Sequence, residues 1–308
     1  NTAIRQSGYC KKTCREKRNR RFLSVYSYGF QNFIFLMPEL PEVETLRQAL
    51  LPLVKNKACS EVILFRKALR FPIPEESLVK GLINHKVSDI TRKGKYLLFQ
   101  TPEGSMLLHL GMSGRIVLQQ TFEPREKHTH AIFKFPTNTY LHFVDPRRFG
   151  SISWVPKSGK HPLIDNLGCD PFSVDMTAKT MKILARKSRA PMKSFIMNSQ
   201  RITGIGNIYA CESLFHAGIR PTKKAGKITL LQWQKWIECV RDVLNKSIAS
   251  GGTTLRDFFD PSGSQGYYSV SLSVYGKEGQ PCPKCTHPIS RLFQTGRSTF
   301  FCKYCQAL

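Results

Sequence analysis

The sequence predicts an α+β protein of several domains: a β-rich first half, a helical second half and a small cysteine-bearing β unit at the end. Three observations carry this prediction. Short apolar or alternating runs crowd residues 60–155, the apolar period lengthens to that of a helix beyond residue 173, and two CxxC pairs lie near the C-terminus. With 308 residues, 41% of them apolar, the chain can fill two modest cores. Its formal charge of +26 is out of keeping with an enzyme of small neutral metabolites and suits a polyanionic partner. No run of about eighteen apolar residues occurs, so no membrane-spanning helix is expected.

Residues 1–36 hold eight Lys or Arg against Glu16 alone, contain no Met, and end in the apolar run Phe33-Ile34-Phe35-Leu36. Such an Arg-rich, acid-poor leader fits either a targeting segment or, the reading preferred here, upstream sequence with no part in the working protein and no expected order. From Met37 the texture changes. In MPELPEVETL, Pro41 suits a first helical turn, Glu42 and Glu44 sit where acids favour the helix dipole, and Val43, Leu46, Leu50 and Leu53 recur at helical spacing. A short amphipathic helix ending near Pro52 is expected.

The runs VILF, KYLLF, MLLHL, RIVL, AIFKF, YLHFV and SISWV then predict strands of an antiparallel sandwich or flattened barrel across 37–160. The Pro-, Gly- and Lys-rich stretch after it predicts a hinge at 161–172. Helices are expected over 173–262, the longest carrying Trp233, Trp236, Ile237, Val240, Val243, Leu244 and Ile248 on one face and closed by Gly251-Gly252. A Gly/Ser-rich region over 263–276 leads to the terminal unit, 277–308.

That unit holds the most specific pattern. CPKC (Cys282, Cys285) and CKYC (Cys302, Cys305) stand with sixteen residues between the inner cysteines, which supplies four thiolates for one tetrahedral, structural Zn2+ in a reducing compartment. Arg297, between the knuckles at a hairpin tip, is either a solvated arginine or a contact to DNA. GIGNIYACESLF (204–215) lacks the third glycine and the preceding strand of a dinucleotide loop; a tight turn entering a helix at Asn207 offers backbone N–H groups suited to a phosphate, or is a plain helix–helix turn. HLGMSG (His109 to Gly114) and DPRRFG (Asp145 to Gly150) are hairpin loops, or loops that place an apolar wedge, Met112, and the charged and aromatic Arg147, Arg148 and Phe149 against unstacked bases. Lys95, beside Gly94, is on its own residues a solvated hairpin lysine. Pro38 is an ordinary internal residue unless synthesis starts at Met37 and that methionine is removed, which leaves a nucleophilic secondary amine.

In this order, MPELPEVET, KYLL, HLGMSG, DPRRFG, GIGNIYACESLF, GGTTLRDF, the Tyr267 to Gly276 segment and the two knuckles resemble the bacterial formamidopyrimidine-DNA glycosylases, over Met37 to about Gln306. The resemblance implies a β-sandwich joined to a helix-two-turn-helix domain ending in a β-hairpin zinc finger. It implies a monomeric base excision repair enzyme of the bacterial cytoplasm, acting on double-stranded DNA that contains oxidised purines, as glycosylase and AP lyase. Pro38 would be the nucleophile, Glu39 the acid that assists sugar opening, and Lys95 a group near the lesion. Met112, Arg147 and Phe149 would fill the gap left by the flipped base. His109, Arg148, Asn207 and Arg297 would hold phosphates, and Ser264 to Tyr275 would form a loop over the lesion. An endonuclease VIII-type preference for oxidised pyrimidines is the nearest rival, and a zinc-finger DNA-binding protein without catalysis is what the chain becomes if Pro38 stays internal.

Overall fold

The computed structural model describes residues 37–122, 126–251 and 272–307. The leader, and all of the expected lesion loop before Leu272, lie outside them. The first element, α1 (Leu40–Val54), buries Val43, Leu46, Leu50 and Val54 among the sandwich residues, yet its first residue, Leu40, belongs to the helical core. The nucleophile candidate therefore precedes a helix that spans the joint between the two halves. The stop expected near Pro52 falls at Val54. The helix runs on to Val54, whose burial draws the last turn onto the sandwich, and the Lys55 N–H closes on the Leu51 carbonyl.

The sandwich is two four-stranded antiparallel sheets, which decides the sequence's choice between sandwich and barrel. One has the order β1 (Glu61–Leu64), β6 (Thr129–Phe135), β7 (Thr139–Val144) and β5 (Arg115–Gln119); the other, β2 (Asp89–Lys93), β3 (Tyr96–Thr101), β4 (Gly104–His109) and β8 (Ser151–Pro156). Leu97, Phe99, Met106, Leu108, Phe133, Leu141 and Phe143 fill the space between them. Every one of the seven apolar runs became a strand. The edge strand β2 was missed because Ile90 is the one apolar residue in DITRK. So was α2 (Glu75–Leu82), whose Leu78 and Leu82 bury one face and whose Gly81 lets it lie on Trp154, where a Cβ would fall 2.1 Å from the ring.

Within the stretch expected as a hinge, α3 (Pro162–Asp165) buries Ile164 in one cluster with Leu107 and Val155. Beyond it come α4 (Ala178–Ala185), α5 (Met192–Ile196), α6 (Asn207–Ala217) and α7 (Leu230–Ala249). On α7, Trp233, Trp236, Ile237, Val240 and Leu244 are buried, and Thr229 and Gln232 form a reciprocal capping box at its start. The hairpin β9 (Ser290–Gln294) and β10 (Arg297–Phe301) ends the described chain's regular structure. Among the described residues no helix is long and apolar enough to cross a membrane.

Leu50 is fully buried in the core that α1 shares with the sandwich. Leu50→Ala should cost about 2–5 kcal/mol, seen as a lower urea midpoint of unfolding; an unchanged midpoint would mean that α1 is not anchored through this core.

Candidate active site and nucleic-acid interface

Glu39 is the N-cap residue of α1 and is 1% exposed. Its carboxylate reaches across to the start of α6, where it accepts the N–H groups of Gly206 (2.8 Å), Ile208 (2.9 Å) and Tyr209 (3.3 Å). The positive end of the helix dipole and three amide donors thus meet a buried anion supplied by the protein. This corrects the expectation that the turn offers those amides to a phosphate: Glu39 occupies them. Gly206 is required by the close approach, since a Cβ there would lie 2.3 Å from the Glu39 Cδ.

A second carboxylate supports the first. Glu42 accepts the Glu39 N–H at 2.9 Å and the Tyr209 hydroxyl at 2.7 Å, and Tyr209 in turn lies 2.6 Å from the Ser247 hydroxyl on α7. Burial, then the neighbouring charge of Glu39, pushes the Glu42 carboxyl above its usual range; burial and Glu42 push the Tyr209 phenol well above its own, so the phenol remains a donor. Sequence reading assigned Glu42 a helix-dipole role and gave Tyr209 none. The spacing of Glu39 and Glu42 at N-cap and N3 was the available signal.

Pro38, half-buried and joined to Met37, sits directly before this clamp. Lys95 comes to the same place from the two-residue turn between β2 and β3, with Gly94 at φ +61°. Instead of the solvated lysine that its own residues indicated, it is half-buried; desolvation lowers its ammonium pKa, assisted by Arg297 and opposed by Glu39 and Glu42. Asn207, the first residue of α6, donates its side-chain N–H groups to the Tyr275 hydroxyl (3.3 Å) and the Ser298 carbonyl (3.0 Å). Ser298 follows Arg297, which is exposed at the β9–β10 tip beyond a turn with Thr295 and Gly296 both at positive φ. Pro38, Glu39, Lys95, Asn207 and Arg297 are therefore gathered in one region from four distant segments.

The remaining site candidates form a second group on the sandwich loops. Asp145, fully buried, is their hub: it accepts the Ser113 hydroxyl (2.6 Å), the Arg147 N–H (3.2 Å) and the Gly150 N–H (2.7 Å), tying the loop of Met112 to that of Arg147, Arg148 and Phe149. Its role was legible only as the first letter of DPRRFG. Arg148 is held at φ +57°, a conformation that residues other than glycine rarely adopt, and Arg147 lies over the Phe149 ring at 5.0 Å. Arg147, Arg148 and Phe149 are exposed; Met112 is half-buried. His109 joins the groups. Its ring packs on Tyr96 (4.6 Å between centroids), Nδ1 accepts the Gly111 N–H (3.0 Å), and burial first, then the charges of Lys95 and Arg70, push its pKa down to about 4.

The cysteine sulfurs of residues 282, 285, 302 and 305 all lie within 4.8 Å of one another, with 3.8 Å between Cys282 and Cys305 and 3.4 Å between Cys285 and Cys302. Four thiolates about 2.3 Å from a central ion would be spaced about 3.8 Å apart, so the residues fit one tetrahedral Zn2+ with no position left for water. Backbone N–H groups of Lys284 and Cys305 approach the Cys282 and Cys302 sulfurs at 3.5 Å, the pattern that orients thiolates at a knuckle. The unit is bolted to α6: Cys211 and Phe215 pack with Val274, Ile289 and Phe300, and Glu212 accepts the N–H groups of Ser273, Val274 and Tyr275. Buried Lys193 donates to the Ser298 carbonyl and the Thr299 hydroxyl, fixing the strand that begins at Arg297.

This combination of sandwich, helices and thiolate unit has matches in known proteins. A family model of the formamidopyrimidine-DNA glycosylase N-terminal domain matches residues 37–152, one of that enzyme's H2TH domain matches 167–259, and one of a zinc finger found in FPG and IleRS matches 279–308. The chain belongs to the formamidopyrimidine-DNA glycosylase family. The formamidopyrimidine-DNA glycosylase of Ruthia magnifica subsp. Calyptogena magnifica is 42% identical over 270 residues, 88% of this chain and 100% of that protein. The MutM (Fpg) crystal structure from Thermus thermophilus superposes with a TM-score of 0.76 at 34% identity, covering 87% of this chain and 98% of that one. A Lactococcus lactis Fpg mutant in complex with DNA containing Fapy-dG gives 0.79 at 31% identity, over 87% and 99%.

Purified protein should carry one zinc per chain, and chelation should loosen residues 272–307 while the sandwich strands persist, read by metal analysis and hydrogen exchange. Retained protection after zinc removal would contradict a structural ion. The His109 ring should titrate near pH 4 by NMR. Because that lies below the ordinary value of 6.5, its contribution to stability is full above pH 6.5 and is lost as the pH falls through about 4; a ring protonated at pH 6 would refute its burial.

Proposed function

We propose that this family member is a bifunctional DNA glycosylase and AP lyase of base excision repair, which removes the oxidised purines 8-oxoguanine and formamidopyrimidines from duplex DNA. The observation that carries the reading is the buried Glu39 carboxylate clamped to the α6 N-terminus one residue after Pro38. In this reading translation from Met37 and removal of that methionine frees the Pro38 amine. An α-amine with a pKa of about 7.7–8.0 is about one-tenth neutral at pH 7, whereas an unperturbed lysine is neutral in only about one molecule per two or three thousand.

The Pro38 lone pair forms a bond to C1′ of the flipped nucleotide as the C1′–N bond breaks and the base departs with a proton. Glu39 relays the proton lost from the Pro38 nitrogen to the sugar ring oxygen as the ring opens and C1′ becomes an iminium carbon. That iminium acidifies C2′, so loss of its proton expels the 3′ phosphate; a second, δ elimination expels the 5′ phosphate, and water releases the amine. Lys95, less basic than an exposed lysine, works beside the lesion and its phosphates. Flipping costs a few kcal/mol, which Met112, Arg147 and Phe149 offset by filling the vacated stack while His109, Arg148, Asn207 and Arg297 hold phosphates. Neutral His109 serves as an N–H donor through Nε2, because Nδ1 already accepts a bond. The division into 37–160 for chemistry, with 173–262 and 277–308 for gripping DNA, and action as a monomer in the bacterial cytoplasm, belong to the same proposal; thiolate zinc ligands suit a reducing compartment.

Borohydride should trap a covalent adduct with 8-oxoguanine DNA when the protein begins at Pro38 and none when residues 1–36 and Met37 remain attached. Equal trapping by both forms would assign the nucleophile to another amine. Pro38→Gly should lose most base excision and Glu39→Gln should cripple turnover while duplex affinity holds; full activity in either variant defeats its role. Parallel assays on an oxidised pyrimidine decide between purine and pyrimidine preference.

A further inference from the structure

Arg92 lies on β2, three residues before Lys95, and its side chain is 10% exposed. Its Nε donates to the Glu44 carboxylate at 3.0 Å, and its Nη1 donates both to the Gly94 carbonyl at 3.0 Å and to the Asp170 carboxylate at 2.7 Å. One guanidinium thus joins α1, the turn that carries Lys95, and the chain entering the helical half. A rigid planar fork can serve three acceptors at once, which an ammonium on a flexible stem does not reproduce. Glu44 is a firm anchor: burial acts to raise its carboxyl, but hydrogen bonds from Arg47, Gln48 and Arg92 outweigh that and hold it below the usual range.

The turn is also braced from its other side. A Cβ on Gly94 would fall 2.1 Å from the Thr203 hydroxyl, so the turn touches the residue before the Gly204–Gly206 segment. Thr203 in turn donates its N–H to the Cys169 carbonyl at 3.0 Å, next to Asp170. The Lys95 turn is therefore held between Thr203 and Arg92, and both holds run to the 169–170 segment.

We propose that Arg92 is a positioning residue for Lys95: its ion pair with Asp170 fixes the β2–β3 turn, and with it the Lys95 ammonium, only while the 169–170 segment is docked against the sandwich. The inference rests on the reading that Lys95 works at the lesion. It assigns the Arg92–Asp170 pair a part in the reaction beyond the modest stability that a partly buried ion pair contributes.

The test is a double-mutant cycle in the protein that begins at Pro38, read as single-turnover excision from 8-oxoguanine duplex, with duplex affinity and urea midpoints measured on each variant. Asp170→Asn should slow excision about tenfold, with duplex Kd changed less than about twofold, and Lys95→Ala should be slow whether or not Asp170→Asn is also present. Arg92→Lys, which keeps the charge and loses the fork, should match Asp170→Asn. Wild-type rates in Asp170→Asn and Arg92→Lys, or a double variant slower than Lys95→Ala by the full Asp170→Asn factor, would overturn the coupling alone. A Lys95→Ala variant at the wild-type rate would overturn the placement of Lys95 at the lesion and the coupling with it.

Discussion

The arrangement depends on one buried anion. Glu39 ends its own helix-capping position with a carboxylate that belongs structurally to another helix, α6, whose first amides it satisfies. Leaving that carboxylate buried without donors, or those amides without an acceptor, would each be costly. The two halves of the molecule therefore satisfy one another only when docked, and the docked state puts residue 38 beside the segment that begins with Asn207. Glu42, Tyr209 and Ser247 extend the joint to α7 through a chain of hydrogen bonds in which each group has a partner.

The other site residues are held by the same economy of buried polar groups. Asp145 fixes two loops whose outward residues are exposed, so Arg148 can be kept at positive φ and Phe149 left in solvent without the loops collapsing. Glu212 and Lys193 do the equivalent for the terminal unit, one capping the chain that enters it and the other fixing the strand after Arg297. Four thiolates around zinc then replace the hydrophobic core that so short a unit cannot build.

Much of the fold was legible because its signals are local. The seven apolar or alternating runs have strand length and turn-like flanks, α7 shows an unbroken helical stripe, and the CxxC spacing specifies a metal with little dependence on context. Strand β2 escaped because it carries one apolar residue and helix α2 because it is only eight residues long, while α1 ends at Val54, close to the Pro52 that marked its stop. The site was legible as motifs, and its members as residue types suited to DNA. Their supports were not: Asp145, Tyr209, Glu212, Lys193 and Arg92 act through partners remote in sequence or through backbone groups that carry no sequence signature.

The sequence alone determined most of the strand and helix content, the zinc ligands, and the family resemblance that singled out Pro38. Only the tertiary structure decided what the GIGN turn does. Its residues fit an anion at a helix N-terminus, a local property, but which anion arrives there depends on how α1 packs against α6. Glu39 fills that place, and the turn that read as a phosphate cradle instead fixes the carboxylate of the residue after Pro38.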